Sequence, residues 1–158
     1  MDLFDTIRVI ILAASPISEL RGAIPFAIGY YNYPWYYAFL IAVIGNLIPV
    51  PLILLFLEIA SKLISRVPCL DRLQQWLFSI VRRRGKLVER YERIGLILFV
   101  AIPLPITGAW TGSILAVLLG LKRSNAFLSI VIGVILAGVI VTSATVFGWH
   151  LADLLSSE

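Results

Sequence analysis

Two residues of opposite charge, Glu19 and Arg21, interrupt an otherwise apolar region near the start of the chain. They lie in Ser15-Pro-Ile-Ser-Glu-Leu-Arg-Gly22, between the apolar runs Phe4–Ala14 and Ala23–Tyr30. A guanidinium attracts anions, and a carboxylate can exchange a proton when burial favours its neutral form. The two residues could therefore handle a substrate or a proton, or they could form a structural ion pair. Residues two apart do not face each other on a helix, so a direct pair requires loop backbone here.

A second interruption, Pro103-Leu-Pro-Ile-Thr-Gly108, carries hydroxyl groups in place of charges. Proline and glycine at these positions break a helix. We predict that the two interruptions face each other around a polar cavity, which Asn46 reaches from a neighbouring helix. Close packing of small residues and hydroxyl groups is the alternative for the second interruption. The predicted substrate- or proton-binding residues are Glu19, Arg21, Gly22, Asn46, Pro105, Thr107, Gly108, Trp110 and Thr111.

The composition indicates that lipid is the solvent for much of the chain. Of its 158 residues 60% are hydrophobic and 14% are charged, against about 45–50% and about 25% in soluble domains. Three uncharged stretches, Gly22–Leu57, Ile94–Leu121 and Ser124–Ala152, each exceed the roughly 20 residues that cross a bilayer. We predict an all-α integral membrane protein.

Basic residues are concentrated in one segment, which predicts the orientation in the membrane. Nine of the 13 Lys and Arg residues lie between Lys62 and Arg93, and the positive-inside rule places this segment in the cytoplasm and both termini outside. A cytoplasmic loop between two membrane segments also explains the basic cluster, so we expect no nucleic-acid partner. The segment is predicted to be an amphipathic helix, either on the inner leaflet or packed beneath the membrane helices.

The stretch Ile94–Leu121 has basic residues at both ends, Arg93 before it and Lys122 after it. Both flanks therefore favour the cytoplasm, which predicts a re-entrant helical hairpin; a single kinked spanning helix is the alternative. The region before Tyr30 predicts a similar hairpin. Crossing helices are expected over residues 35–61 and 124–152.

An internal repeat supports this plan. Ala38–Gly45 matches Ala126–Gly133 at six of eight positions. We predict one membrane domain, 1–158, made of repeat 1 (1–61), the connector (62–93) and repeat 2 (94–158). A hairpin followed by one crossing helix in each half is an inverted-topology repeat, as in many secondary transporters; chance similarity of apolar segments is the alternative.

Small residues on the last predicted helix favour self-association. Gly133, Ala137 and Thr145 lie roughly on one face, and small residues allow helices of two copies to approach closely. We expect a homodimer.

The segments Ile17–Pro25 and Pro103–Gly112 resemble the two signature motifs of the putative small multidrug export protein family of bacteria and archaea. That family is distantly similar to the DedA and VTT-domain membrane proteins, which share paired re-entrant hairpins. Their acidic residue in the first hairpin would correspond in role to Glu19. The arginine of their second hairpin has no match here, because Thr107–Gly112 contains no charge.

The resemblance and the residues together favour a secondary transporter or flippase in the prokaryotic cell membrane, proton-coupled through Glu19. The expected substrate is a small amphipathic or lipid-phosphate molecule, and the expected partners are membrane lipids. The alternatives are a non-transporting scaffold for membrane homeostasis and a lipid scramblase. With one histidine, one cysteine and no nucleophile paired with a base, we expect neither an enzyme nor a cofactor.

Overall fold

A computed structural model describes residues 2–64, 85–104 and 107–156, and most of these residues are helical, with no strand among them. The predicted all-helical fold is confirmed. The helices are α1 (Leu3–Ala14), α2 (Glu19–Gly29), α3 (Trp35–Leu47), α4 (Pro49–Ile64), α5 (Gly85–Ala101), α6 (Ala109–Leu118) and α7 (Arg123–Ser156).

Two helical stretches are long and apolar enough to cross a membrane. They cover Trp35–Leu57, with 23 residues, and Arg123–Ala152, with 30 residues, both with a mean hydropathy of 2.6. At about 1.5 Å per residue they reach roughly 35 and 45 Å, more than the hydrocarbon thickness of about 30 Å. The sequence predicts crossing helices over these two stretches, and both are long enough to cross.

The first of these stretches is interrupted at Ile48, between α3 and α4. Pro49 and Pro51 follow directly, and neither has an N–H to donate to the preceding turn. Interrupted helices at membrane depth are tolerated where protein or water satisfies the freed backbone groups. The break lies two residues after Asn46.

The chain forms two compact units, of which the first contains Met1–Ile48 and Val134–Glu158. In it α1 and α2 form a helical hairpin, and α3 packs against both. The core between these three helices consists mostly of small side chains. Its fully buried residues include Ala13, Ala23, Ala27 and Ala38. Small side chains let the helix axes approach closely, which suits the packing of three short helices.

The second unit contains Pro49–Gly133. Here α5 and α6 form a second helical hairpin, and α6 also packs against α4. Larger side chains fill this core, and Leu96, Val100 and Ile130 are almost completely buried. Gly112 gives α6 room for this core, because a Cβ atom there would lie 2.5 Å from the Val100 side chain.

Several sequence boundaries differ from the helices. Helix α5 begins at Gly85, so it runs through the predicted connector–repeat boundary at residue 94. Residues 65–84 of the predicted amphipathic connector lie outside the described residues. Two helical hairpins are present, and their re-entrant placement, their inverted orientation and the repeat boundaries stay predictions.

The small-residue face predicted for dimerisation is used inside the chain. A Cβ atom at Gly133 would lie 2.7 Å from Val100 Cβ and 3.0 Å from the Ile97 carbonyl oxygen. Ala137 and Thr145 are also buried, in the first unit. The homodimer stays a prediction, but these residues already pack against other parts of the same chain.

Candidate functional site

The turn between α1 and α2 is shorter than the sequence predicts. It covers residues 15–18, so Glu19, Arg21 and Gly22 belong to α2 and not to a loop. The backbone explains the early start, because the Glu19 N–H donates to the Ser15 carbonyl and the Gly22 N–H donates to the Ser18 carbonyl, both at 3.1 Å. The two charged residues therefore sit in the first helical turn, where the chain re-enters a regular helix.

Glu19 has an unusual backbone conformation. Its φ angle is +47°, in the left-handed region, which non-glycine residues other than Asn and Asp seldom adopt. Its surroundings are also unusual for a carboxylate, since the residue is only 5% exposed. Strained backbone of this kind costs about 1–3 kcal/mol, and it clusters at active sites and ligand clamps. This combination makes Glu19 the leading candidate for a functional side chain in the first unit.

Glu19 and Arg21 form an ion pair, with 3.7 Å between Oε2 and Nη2. In a regular helix residues two apart point in different directions. The left-handed backbone at Glu19 departs from that geometry, which accounts for the contact between the two side chains. The carboxylate is 7% exposed and the guanidinium 24%, so the cation retains partial access to solvent while the anion does not.

Gly22 has a packing role next to this pair. A Cβ atom at Gly22 would lie 2.1 Å from Ser18 Oγ. Any larger residue would therefore displace the Ser18 side chain from the turn. Steric crowding by Ser18 therefore explains why position 22 is a glycine. The part of Gly22 in substrate binding stays a prediction.

Asn46 lies at the same end of the first unit as the ion pair. Its neighbour Gly45 packs against the last turns of α1, because a Cβ atom there would be 2.9 Å from Ala13 Cβ. Helix α1 ends one residue later, at Ala14, just before the turn that leads to Glu19. Asn46 is 1% exposed, and within the described part of the chain its Oδ1 atom has no hydrogen-bond partner. A buried acceptor without a partner costs about 1–3 kcal/mol unless water or a ligand binds it.

The second interruption is organised by Thr107. Its hydroxyl accepts a hydrogen bond from the Leu104 N–H at 3.1 Å, and it can donate to the carbonyl of Ile102 or of Leu104. These contacts satisfy backbone groups that the break between α5 and α6 leaves loose. Thr107 therefore closes the interruption locally, as capping side chains do at helix ends.

The other predicted residues of this interruption have less distinctive surroundings. Thr111 donates to the Gly108 carbonyl at 3.4 Å, and Trp110 is half-buried. Gly108 precedes α6 with a φ of 167°, an extended conformation open to any residue. Pro105 lies outside the described residues.

The predicted site residues are thus divided between the two units. The first unit contains Glu19, Arg21, Gly22 and Asn46, and the second contains Thr107, Gly108, Trp110 and Thr111. That the two groups face each other stays a prediction. Sequence reasoning missed the helix break at Pro49 beside Asn46, although the Pro-x-Pro pattern was a readable signal. It also missed Thr142, a buried hydroxyl of α7 considered below.

Two apolar helices long enough to cross a bilayer and two shorter helical hairpins, among the described residues, are typical of an all-helical integral membrane protein. Comparison with family models finds a match over residues 19–140 to the family described as putative small multi-drug export protein. The chain belongs to this family, whose description is one of export and not of catalysis. The matched region begins at Glu19 and includes the second interruption. No curated protein and no solved structure matched the chain.

Proposed function

We propose that the protein is a proton-coupled secondary transporter or flippase for a small amphipathic molecule, and that Glu19 and Arg21 form its working site. The observation that carries the proposal is the buried ion pair, with Glu19 held in left-handed backbone at the start of α2. Family membership supports export as the general activity. The likeness to DedA and VTT-domain proteins and the placement in a prokaryotic inner membrane belong to the same proposal.

The ion pair suggests how protonation of Glu19 controls substrate binding at Arg21. While Glu19 is ionised, its carboxylate neutralises Arg21. A proton on Glu19 weakens that attraction, and the guanidinium, which is partly exposed, can then bind an anionic group of the substrate. Release of the proton restores the pair and displaces the substrate. The Glu19 carboxylate and the anionic group of the substrate would therefore compete for the Arg21 guanidinium.

Asn46 would contribute a neutral hydrogen bond to the same event. Its buried Oδ1 accepts no bond from the described residues, and it can accept one from a protonated carboxyl, a water molecule or the substrate. The helix break next to it leaves the local backbone without the usual donor at Pro49. Both features favour a hydrated pocket over a dry packing contact at this end of the unit.

The experiment that tests this proposal is the substitution Glu19→Gln in proteoliposomes. Glutamine keeps the shape and most of the hydrogen-bonding capacity but cannot exchange the proton, so we expect a folded protein without pH-dependent flux. Flux would be measured with two probes, a fluorescent anionic phospholipid and ethidium, across an imposed pH gradient. Arg21→Lys should also reduce flux, because an ammonium does not replace the planar five-donor guanidinium.

The matched control is Asp5→Asn, since Asp5 also pairs with an arginine, Arg8, at 3.1 Å. That arginine side chain is 68% exposed, and the pair lies on the surface, so this carboxylate-to-amide change should leave flux intact. Normal pH-dependent flux in a well-folded Glu19→Gln variant would exclude Glu19 as the coupling group. If neither probe moves faster than through protein-free liposomes, the scaffold alternative is favoured.

The re-entrant placement of the second hairpin has its own test. Cysteines introduced singly at Gly95 and Leu121, with Cys69 replaced by serine, should react with a membrane-impermeant thiol reagent from the same side. A Cβ atom at Gly95 meets no other atom within 4 Å, so the new side chain should not disturb the fold. Labelling from opposite sides would indicate one spanning helix and contradict the inverted repeat.

A further inference from the structure

The first unit contains a cavity of about 270 Å³ between α3 and the C-terminal part of α7. Its walls combine two aromatic rings, two valines and two hydroxyl side chains, without a charged residue. The lining residues are Trp35, Phe39, Val139, Thr142, Ser143 and Val146. Drug-sized ligands occupy pockets of about 300–1,000 Å³, so this cavity suits a smaller molecule, about one ring in size.

Thr142 gives the cavity a specific polar feature. The residue is 7% exposed, and within the described part of the chain its Oγ1 atom has no hydrogen-bond partner. A threonine inside a helix ordinarily donates to the carbonyl four residues before it. Thr145, three residues further along the same helix, does this, with 2.7 Å to the Val141 carbonyl oxygen. Thr142 does not, so its hydroxyl keeps an unused hydrogen-bonding capacity in the wall of the cavity.

The aromatic walls are placed by close packing of α3 on α7. A Cβ atom at Gly138, one turn before Thr142, would lie 2.7 Å from Phe39 Cε2. The Phe39 ring therefore rests directly against the α7 backbone, beside the free hydroxyl. Trp35, one turn before Phe39, is 58% exposed and borders the open side of the cavity. A ring that enters here meets two aromatic faces, an arrangement that favours aromatic contacts.

We propose that this cavity binds a small uncharged aromatic molecule with one hydroxyl group, a phenol, at a site separate from Glu19 and Arg21. The ring would lie against Phe39 and Trp35, and the hydroxyl would form a hydrogen bond with Thr142 Oγ1. Charged ligands are disfavoured, because no lining residue offsets the cost of their desolvation. A lipid acyl chain fits the apolar walls but leaves the Thr142 hydroxyl without a partner.

The test uses 4-fluorophenol and ¹⁹F NMR, with the full chain in nanodiscs. We expect saturable binding to the unmodified protein, and a loss of affinity of about fivefold in Thr142→Val, the usual scale of one net hydrogen bond. Thr145→Val is the matched control and should not change the affinity, because its hydroxyl is already bonded to the backbone. Val139→Trp, at a half-exposed lining position, should fill the cavity and abolish saturable binding.

A second ligand, 4-fluorotoluene, separates the hydroxyl contribution from that of the ring. In the unmodified protein it should bind more weakly than 4-fluorophenol, and Thr142→Val should leave its affinity unchanged. Equal binding of both ligands to the unmodified protein and to Thr142→Val would overturn the proposal. Displacement of 4-fluorophenol by a spin-labelled acyl chain of the nanodisc lipid would identify a lipid-tail site and overturn it as well. Unchanged thermal unfolding of each variant would establish that lost binding does not reflect lost fold.

Discussion

The first hairpin, α1–α2, and the second hairpin, α5–α6, solve the same structural problem with different chemistry. In each hairpin the chain breaks between two helices, and backbone groups near the break are left without helical partners. The first hairpin uses a turn of four residues and places a buried ion pair directly after it. The second uses a longer interruption whose backbone groups bond to the neutral Thr107 side chain. Since a hydroxyl suffices to close such a break, the charges of the first hairpin are not needed for that purpose.

The helices that follow the two hairpins differ much less. Gly45 and Gly133 occupy matching positions of the internal repeat, and each leaves room for the first helix of its own hairpin. Gly45 lies against Ile10 and Ala13 of α1, whereas Gly133 lies against Ile97 and Val100 of α5. The packing of the repeat is thus similar in both units, while the polar chemistry belongs mainly to one.

The largest effect that would sharpen this comparison is expected from Arg21→Leu. It leaves a buried carboxylate without its cation, which should lower the free energy of unfolding by about 3–5 kcal/mol at pH 8. Arg8→Leu, at the exposed pair, should change little. Thermal unfolding in detergent at one pH measures this, and equal stability of the two variants would mean that the Glu19–Arg21 pair does not hold the first hairpin together.

Substitution of the two repeat glycines should produce intermediate and similar effects. A Cβ atom would lie 2.8 Å from the Ile10 carbonyl oxygen at Gly45, and 2.7 Å from Val100 Cβ at Gly133. We expect Gly45→Ala and Gly133→Ala each to cost about 1–3 kcal/mol, because packed backbone yields little. Gly148, also in α7, has open space around it, so Gly148→Ala should be neutral or slightly stabilising. If only one of the first two variants is destabilised in a thermal melt, the packing of the repeats is not equivalent.

The smallest effect is expected in the second hairpin. Thr107→Val removes a hydroxyl that bonds to the backbone of Leu104 within the interruption, which should cost about 1–2 kcal/mol. Thr111→Val should cost less, because its hydroxyl makes one long contact of 3.4 Å. Both variants should retain flux in proteoliposomes when folded. Loss of flux in a stable Thr107→Val variant would place the second hairpin within the working site and break the comparison.

Features that depend on local pattern and composition could be predicted from the sequence. Long uncharged runs are sufficient to specify apolar helices, because a bilayer leaves a chain no other way to satisfy its backbone. The helix breaks at Pro16 and Pro103 were readable for a similar reason, since proline lacks a donor and disfavours the preceding helical turn. Glu19 and Arg21 also stood out in the sequence, because charges are costly in such surroundings.

Features that depend on contacts between distant parts of the chain were decided only by the tertiary structure. The pairing of Glu19 with Arg21 required a left-handed backbone that no local pattern indicates. Gly133 looked available for a second copy until α5 was found against it. Thr142 and Thr145 are the same residue type in the same helix, yet among the described residues only the Thr145 hydroxyl has a hydrogen-bond partner. Burial and hydrogen-bond satisfaction are set by neighbours remote in sequence, so the chain alone names the candidate groups and only its packing determines which of them are left free to bind.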